Sequence, residues 1–152
     1  MTRGTRAIAF GTALLAGACS RAAPDPVRAL LAELESAAEE RDAGRFAARL
    51  SDAFQGQESV TKAAAEAELR RYFGAYESIG IELYEVEVER PDGSARVRCK
   101  VAFSGQARRA FGLENLLPPS ALYRFDLEAR DEGGTWRVTR ARWEKIEGPP
   151  AS

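Results

Sequence analysis

The strongest constraint on the fold is the alternation of charged and apolar residues on both sides of Asp92-Gly93. Asp-Gly favours a two-residue hairpin turn. A register centred on it gives a charged face that pairs Glu89 with Arg96, Glu87 with Arg98 and Glu85 with Lys100. The other face is apolar and pairs Val88 with Val97, Val86 with Cys99 and Tyr84 with Val101. A one-residue slip would reverse every side chain, so the pattern predicts an antiparallel sheet with one buried face.

Two irregularities are predicted where this alternation changes phase. Ile81 and Leu83 are out of phase with Val86, which predicts a β-bulge near Tyr84 or Glu85. A second hairpin turns at Gly133-Gly134, and its downstream strand needs a bulge near Thr139-Arg140. With that bulge, the pairs are Arg124 with Glu144, Phe125 with Trp143, Asp126 with Arg142 and Glu128 with Arg140.

Three helices are predicted before the sheet. Asp25-Pro26 provides a capping residue and a first-turn proline. The first helix carries an apolar stripe of Val27, Leu30, Leu31, Leu34, Ala37 and Ala38. Asp42-Ala43-Gly44 starts a short second helix with Phe46 and Leu50, and Thr61 starts a third with Ala65, Leu69, Tyr72, Phe73 and Tyr76 on its apolar side. Residues 51–59 and 106–120 are predicted to be loops. The expected class is α+β: three N-terminal helices packed on a curved, mostly antiparallel sheet of about four to six strands.

The start of the chain has the features of an export signal. Arg3 and Arg6 precede an apolar stretch of about a dozen residues, shorter than the roughly 20 that a membrane-spanning helix requires. Ala16-Gly17-Ala18 fits the cleavage site of ordinary signal peptidase, which would release a soluble protein. The same residues followed by Cys19 resemble the lipobox of bacterial lipoproteins, in which that cysteine becomes the acylated N-terminus.

The lipobox resemblance implies a lipid-anchored periplasmic protein. Lipoproteins of this kind carry several acyl chains, which together hold a protein firmly in a membrane. Ser20, in place of the aspartate that retains such proteins in the inner membrane, implies the outer membrane. The expected organisation is a signal peptide over residues 1–18, an anchor cysteine and linker over 19–24, one domain over 25–147 and a tail over 148–152.

Composition excludes several classes of function. The chain contains no histidine, which removes Ser-His-Asp and Cys-His catalysis and most zinc sites, and no metal or cofactor is predicted. The formal net charge is −1 and acidic residues are interleaved with arginines, so nucleic-acid binding is not expected.

The predicted order of elements resembles the nuclear transport factor 2-like superfamily. The local sequences that carry the resemblance are Arg41-Asp42-Ala43-Gly44-Arg45-Phe46, Leu50-Ser51-Asp52-Ala53-Phe54 and Trp136-Arg137-Val138. The resemblance implies a cone between helices and sheet. Because the superfamily includes isomerases, dehydratases, epoxide hydrolases, transport factors and non-enzymatic accessory domains, the fold does not choose among these functions.

Candidate catalytic groups are few. An isomerase-like site needs a carboxylate base with an oxyanion partner, and the candidates are Asp52 with Tyr72 or Tyr123. The alternative is that Asp52 caps a turn and the tyrosines belong to the core. Cys99 is either a reactive thiol or a small buried hydrophobe. The alternation favours burial, because it places Arg98 and Lys100 on the opposite face.

Aromatic residues provide a possible binding site. The expected lining of an apolar pocket is Phe54, Tyr72, Tyr76, Tyr84, Cys99, Phe103, Tyr123, Phe125 and Trp143. The same residues could instead fill a core. Phe111, Leu113, Leu116 and Leu117 form either a lid over that pocket or an exposed patch for a partner or the membrane surface.

Two functional hypotheses follow. The first is a lipid-anchored periplasmic accessory domain that binds an apolar small molecule or an envelope protein partner. The second is a small-molecule acid–base enzyme that uses Asp52 and a tyrosine. The charged ladders are either a solvated sheet face or the interface of a homodimer through the sheet.

Overall fold

A computed structural model describes residues 23–109 and 117–148. Its helices are α1 (Pro26–Glu39), α2 (Ala43–Ala47) and α3 (Lys62–Gly74), with a single 3₁₀ turn at Gln57–Ser59. Its strands are β1 (Leu50–Gln55), β2 (Tyr76–Glu89), β3 (Ser94–Ala107), β4 (Ser120–Glu132) and β5 (Thr135–Ile146). The sheet order is β1-β5-β4-β3-β2, with β1 parallel to β5 and every other pairing antiparallel. The predicted α+β class is confirmed.

Each helix starts where a side chain caps its free N–H groups. Asp25 accepts a hydrogen bond from the backbone N–H of Val27 at 3.0 Å, and Asp42 accepts one from that of Arg45 at 2.8 Å. The Thr61 hydroxyl accepts from the N–H of the third residue of α3 at 3.3 Å. Asp25 and Asp42 are the predicted caps, because capping is a local interaction that the sequence shows directly. Thr61 was predicted only as the start of the third helix, and it is the residue that caps α3.

The β2–β3 hairpin has the predicted pairing next to its turn. Val88 pairs with Val97 and Glu87 with Arg98. The register then shifts between Tyr84 and Glu87, and Glu85 has a positive φ of 49°. The predicted bulge is therefore confirmed. Because it lies between Tyr84 and Glu87, three of the predicted residue pairs do not form as regular strand pairs. Tyr84 pairs with Lys100 instead of Val101, and neither Val86–Cys99 nor Glu85–Lys100 is a regular strand pair.

The β4–β5 hairpin agrees with its prediction throughout. Phe125 lies opposite Trp143, and the pairs Arg124–Glu144, Asp126–Arg142 and Glu128–Arg140 form as expected. The register shifts once: Arg140 pairs with Glu128 and Val138 with Ala129, which leaves Thr139 as the extra residue. A bulge of this kind keeps both halves of β5 facing the core.

Strand β1 corrects the predicted loop over residues 51–59. Leu50 and Phe54 are buried, and Leu50 pairs with Val138 of β5. The segment had no alternating pattern, because its partner is a parallel strand more than eighty residues away and its own burial does not alternate. Leu50 therefore belongs to β1 rather than α2, and Tyr76 begins β2 rather than ending α3.

The core lies between the helices and one side of the sheet, here called the inner face. One buried cluster joins α1 to the central strands and includes Val27, Leu30, Leu31, Val97, Cys99, Leu127 and Val138. A second cluster surrounds Tyr76 and includes Phe73, Ile79 and Phe103, with Leu69, Tyr72, Leu117 and Tyr123 packed against it. The inner face is therefore well covered near the two hairpin turns. It is less covered at the opposite end of the sheet, where four aromatic rings remain partly exposed.

Candidate ligand-binding site

Three aromatic side chains on the inner face form a continuous surface, here called the aromatic platform: Tyr123, Phe125 and Trp143. Strand alternation turns Tyr123 and Phe125 inward, and the hairpin register sets Trp143 opposite Phe125. The Phe125 and Trp143 rings are stacked with centroids 6.1 Å apart, and Tyr123 lies 6.3 Å from Phe125. Trp143 is 36% exposed, so the platform is open to solvent.

A hydrogen bond holds the platform from the β1 side. The backbone N–H of Trp143 donates to Oε1 of Gln57 at 2.9 Å. Gln57 belongs to the 3₁₀ turn that follows β1, so this turn fixes β5 next to the exposed indole. This contact could not be predicted from the sequence, because it depends on strand β1, which was predicted to be a loop.

Tyr72, Tyr76 and Phe103 meet beside the platform. The ring of Tyr72 lies 5.1 Å from that of Tyr76 and 5.6 Å from that of Phe103. Tyr76 is fully buried, and its hydroxyl donates to the carbonyl of Pro118 at 3.1 Å. Burial raises the pKa of Tyr72, with a contribution from hydrogen bonding to Tyr76, and burial also raises the pKa of Tyr123. Both phenols therefore stay protonated at neutral pH and can donate hydrogen bonds to a ligand.

An open cavity of about 740 Å³, only partly enclosed by protein, lies at the same end of the sheet. It is lined by Ala102, Phe103, Ser120, Ala121, Leu122, Lys145, Ile146, Glu147 and Gly148. Its volume is in the range of small-molecule sites, and most of its lining is apolar. Lys145 connects the cavity to the platform, because it pairs with Tyr123 across the β4–β5 ladder. Among the described residues, Lys145 forms no ion pair.

Lys145 was not singled out from the sequence, although a signal was present. Ala141, Trp143 and Lys145 share one face of β5 in the predicted register, so the lysine is a cation on an otherwise apolar surface. A cationic group at the edge of an apolar site favours a ligand that carries a negative charge.

Asp52 does not face the interior, contrary to its predicted role as a base. Its side chain is 99% exposed, and the ammonium of Lys62 donates to it at 2.8 Å. This hydrogen bond lowers the pKa of the Asp52 carboxyl. In a regular strand Asp52 would share the inward face of Leu50 and Phe54, but the register of β1 against β5 shifts between Leu50 and Gln55, and Asp52 is exposed within this irregular segment. Tyr72 and Tyr123 therefore have no carboxylate partner in Asp52.

The predicted pocket residues divide into three groups. Phe54, Tyr76, Cys99 and Phe103 are buried in the two clusters and form part of the core. Tyr123, Phe125 and Trp143 remain partly exposed on the inner face, and Tyr72 remains partly exposed on α3. Tyr84 was wrongly placed: it is 44% exposed, pairs with Lys100 and donates to Glu82, because the bulge at Glu85 turns it to the opposite side of the sheet.

The predicted lid is only partly within the described residues. Leu117 is half-buried and packs against the cluster around Tyr76. Phe111, Leu113 and Leu116 lie outside the described residues. The contact made by Leu117 places the end of the β3–β4 connection next to the tyrosines.

Cys99 is expected to be unreactive in the folded protein. Burial raises the pKa of its thiol to about 11, so the nucleophilic thiolate is scarce near neutral pH. We expect Ellman's reagent to modify Cys99 slowly in buffer and rapidly in denaturant, and reaction at the same rate in both would contradict the burial. In denaturant the assay also tests whether Cys19, the other cysteine of the chain, is acylated, because an acylated Cys19 has no thiol to react.

The described residues contain neither a membrane-spanning helix nor a cluster of potential metal ligands. No helix in residues 23–109 or 117–148 is long and apolar enough to cross a membrane. Across the same residues, no group of three or more Cys, Asp or Glu side chains is placed to hold a metal ion.

Solved structures with a similar backbone identify the architecture. A protein from Novosphingobium aromaticivorans, provisionally named a scytalone dehydratase, superposes with a TM-score of 0.69 at 10% identity over 80% of this chain and 83% of its own. A provisionally named dehydratase of the NTF2-like family from Streptomyces avermitilis gives 0.69 at 13% identity over 81% and 96%. The chain has the nuclear transport factor 2-like fold. An NTF2-like protein from Cytophaga hutchinsonii, with a TM-score of 0.64 at 14% identity over 79% and 95%, agrees.

These similarities confirm the fold resemblance that the sequence suggested. At identities of 10–14% they concern the backbone alone. No protein-family model matches the chain, and no curated protein matches it. The activity must therefore be argued from the site itself.

Proposed function

We propose that the protein is a lipid-anchored periplasmic binding domain for an apolar small molecule that carries an anionic group. The observation that supports this proposal best is the combination of an open aromatic platform with Lys145 at its edge. The platform supplies flat apolar contact, while the ammonium of Lys145 supplies one charge that orients the ligand. This is the usual composition of a small-molecule site, in which a few polar groups fix the orientation of a largely apolar contact.

The platform itself lacks the carboxylate that acid–base catalysis would require. Apart from Glu147, none of the described residues that line the platform or the cavity is acidic. Tyr72 and Tyr123 can donate hydrogen bonds, but an isomerase-like or dehydratase-like reaction also needs a base within reach of the substrate. Two similar structures have dehydratase names, and this is the observation that favours the enzyme alternative.

Two related fluorescent probes test the proposed ligand class. 1-Anilinonaphthalene-8-sulfonate is aromatic and anionic, whereas N-phenyl-1-naphthylamine has the same ring system without the charge. Trp143→Ala should weaken both probes, because it removes the exposed ring of the platform. Lys145→Gln should weaken the sulfonate probe by about tenfold, or about 1.4 kcal/mol, and leave the neutral probe unchanged. The measurement is a fluorescence titration of each variant.

Arg71→Gln provides the matched control for charge. Arg71 is exposed on α3 and pairs with Glu68, so its removal alters the total charge as Lys145→Gln does without touching the platform. It should leave both affinities unchanged. Equal affinity of wild type and Trp143→Ala for both probes would exclude the platform as the binding surface. Loss of the neutral probe in Lys145→Gln would mean that the lysine supports the structure rather than recognising a charge.

A further inference from the structure

The N-terminus of the domain lies at the hairpin-turn end of the sheet, which we define by the β2–β3 turn at residues 90–94 and the β4–β5 turn at residues 132–135. Asp25, just before α1, accepts a hydrogen bond from Arg90. The guanidinium of Arg90 also lies 5.9 Å from the ring centroid of Trp136, near the start of β5. These two successive contacts connect the N-terminus of the domain to both turns.

The candidate ligand site lies at the opposite end of the same sheet. Strand β4 runs from Ser120, which lines the cavity, to Glu132 at the turn. Its 13 residues span about 40 Å. By contrast, the chain from Cys19 to Asp25 can reach at most about 20 Å. A lipid on Cys19 would therefore hold the hairpin-turn end near the membrane and leave the ligand site further away.

Arginines are concentrated on the outer face of the sheet near this same end. The cluster, here called the arginine patch, consists of Arg96, Arg130, Arg137 and Arg140. Glu128, which pairs with Arg96 and Arg140, is the carboxylate on β4 between them. No ion pair within 4.0 Å involves any of the four in the described parts of the chain.

Within the patch, two arginines face each other directly. Arg130 pairs with Arg137 across the β4–β5 ladder, an arrangement that disfavours folding because like charges lie side by side. Within the described residues, Arg137 donates only to backbone carbonyls, those of Ala48 and Glu132, both at 3.4 Å. Among the described residues, Arg130 and Arg137 thus face each other without an ion-pair partner, and an anionic surface would relieve their repulsion.

We propose that the hairpin-turn end is the membrane-facing surface of the domain, and that the arginine patch binds the headgroups of anionic phospholipids. The proposal rests on the proposed anchoring through Cys19, and adds an orientation to it. In this orientation the two turns face the membrane, Trp136 lies at the lipid headgroups and the aromatic platform is directed away from the membrane. Tryptophan beside arginine is a common composition at membrane interfaces.

The chain's two tryptophans allow a direct test, because Trp136 lies next to the β4–β5 turn and Trp143 lies further along β5 in the aromatic platform. The lipidated protein is reconstituted in vesicles of phosphatidylglycerol and phosphatidylcholine that contain a headgroup-attached quencher. Trp143→Phe reports on Trp136 alone, and Trp136→Phe reports on Trp143 alone. Since the two positions are roughly 20 Å apart along β5, quenching should be strong for Trp136 and weak for Trp143. Equal quenching, or stronger quenching of Trp143, would overturn the proposed orientation.

The contribution of the patch is tested with paired charge removals. Arg130→Gln with Arg137→Gln should reduce the quenching difference, and high salt or pure phosphatidylcholine should do the same. Arg70→Gln with Arg71→Gln, on exposed α3, should leave it unchanged. If the first pair instead converts a dimer to a monomer without changing the quenching, the patch contacts a second copy of the chain and the proposal fails.

Failure of the anchor can be distinguished from failure of the orientation. The lipidated protein should float with vesicles in a density gradient, and Cys19→Ala should not. If both behave alike, the anchoring part of the proposed function is wrong. If only Cys19→Ala fails to float but Trp136 remains unquenched, anchoring stands and the orientation is wrong.

Discussion

Replacing Tyr76 by alanine should lower the free energy of unfolding by about 3–5 kcal/mol, the usual cost of removing a buried aromatic ring. Tyr76 is 0% exposed and its ring lies 5.1 Å from those of both Tyr72 and Phe103. The cavity left behind would open next to the platform, so ligand binding should weaken as well. Urea denaturation measures the loss, and an unchanged m-value would show that the unfolding transition still exposes a similar surface.

Tyr76→Phe separates the ring from its hydroxyl. This variant keeps the aromatic contacts and removes only the hydrogen bond to the Pro118 carbonyl. It should cost about 0.5–1.5 kcal/mol, the usual net value of one such bond. If Tyr76→Phe were as damaging as Tyr76→Ala, the hydroxyl rather than the packed ring would stabilise this part of the fold.

The second large effect is expected at Gly105 in β3. A Cβ atom at this position would lie 2.6 Å from Cδ1 of Tyr76 and 2.7 Å from Cζ of Phe103, distances too short for carbon atoms. Gly105→Ala should therefore destabilise the protein by about 1–3 kcal/mol through overpacking, since both rings are buried and constrained. Thermal and urea denaturation of the variant give the measurement.

Gly74→Ala is the control for this substitution. Gly74 is the last residue of α3, and a Cβ atom there would meet nothing within 4 Å. Because alanine is the better helix former, Gly74→Ala should be neutral or stabilising by up to about 1 kcal/mol. If Gly105→Ala were equally harmless, the rings around Tyr76 would be able to move apart, and the tyrosine cluster would be less rigid than the structure indicates.

The predictable parts of the fold depend on neighbours in sequence. The two turns, the helix caps and the whole β4–β5 register follow from residues close together in the chain, such as Asp25 with Val27 and Gly133 with Gly134. Strand β1 could not be predicted in this way, because it pairs with β5, which is distant in sequence. Its buried and exposed residues also do not alternate, as Ser51 and Asp52 show. The position of the bulge at Glu85 was predicted only approximately, and that small error placed Tyr84 on the wrong face.

The candidate site was less predictable than the fold. Tyr123, Phe125 and Trp143 could be assigned to one face, but whether they fill a core or remain open depends on where the helices end. Lys145 could have been found from the register, since it is the charged residue on an apolar face. Asp52 was a wrong candidate for the catalytic base. Its segment was predicted to be a loop, whereas Asp52 lies in the short strand β1 with its side chain exposed to solvent.

Native mass spectrometry of residues 20–152, produced in a bacterial periplasm, tests directly whether the domain binds a small molecule. We expect a bound small molecule of defined mass with an acidic group, present in the wild type and absent when Trp143→Ala and Lys145→Gln are combined. The Arg71→Gln control should retain it. An empty wild-type protein, or the same bound mass in the double variant, would contradict the proposal that the aromatic platform and Lys145 form a ligand-binding site.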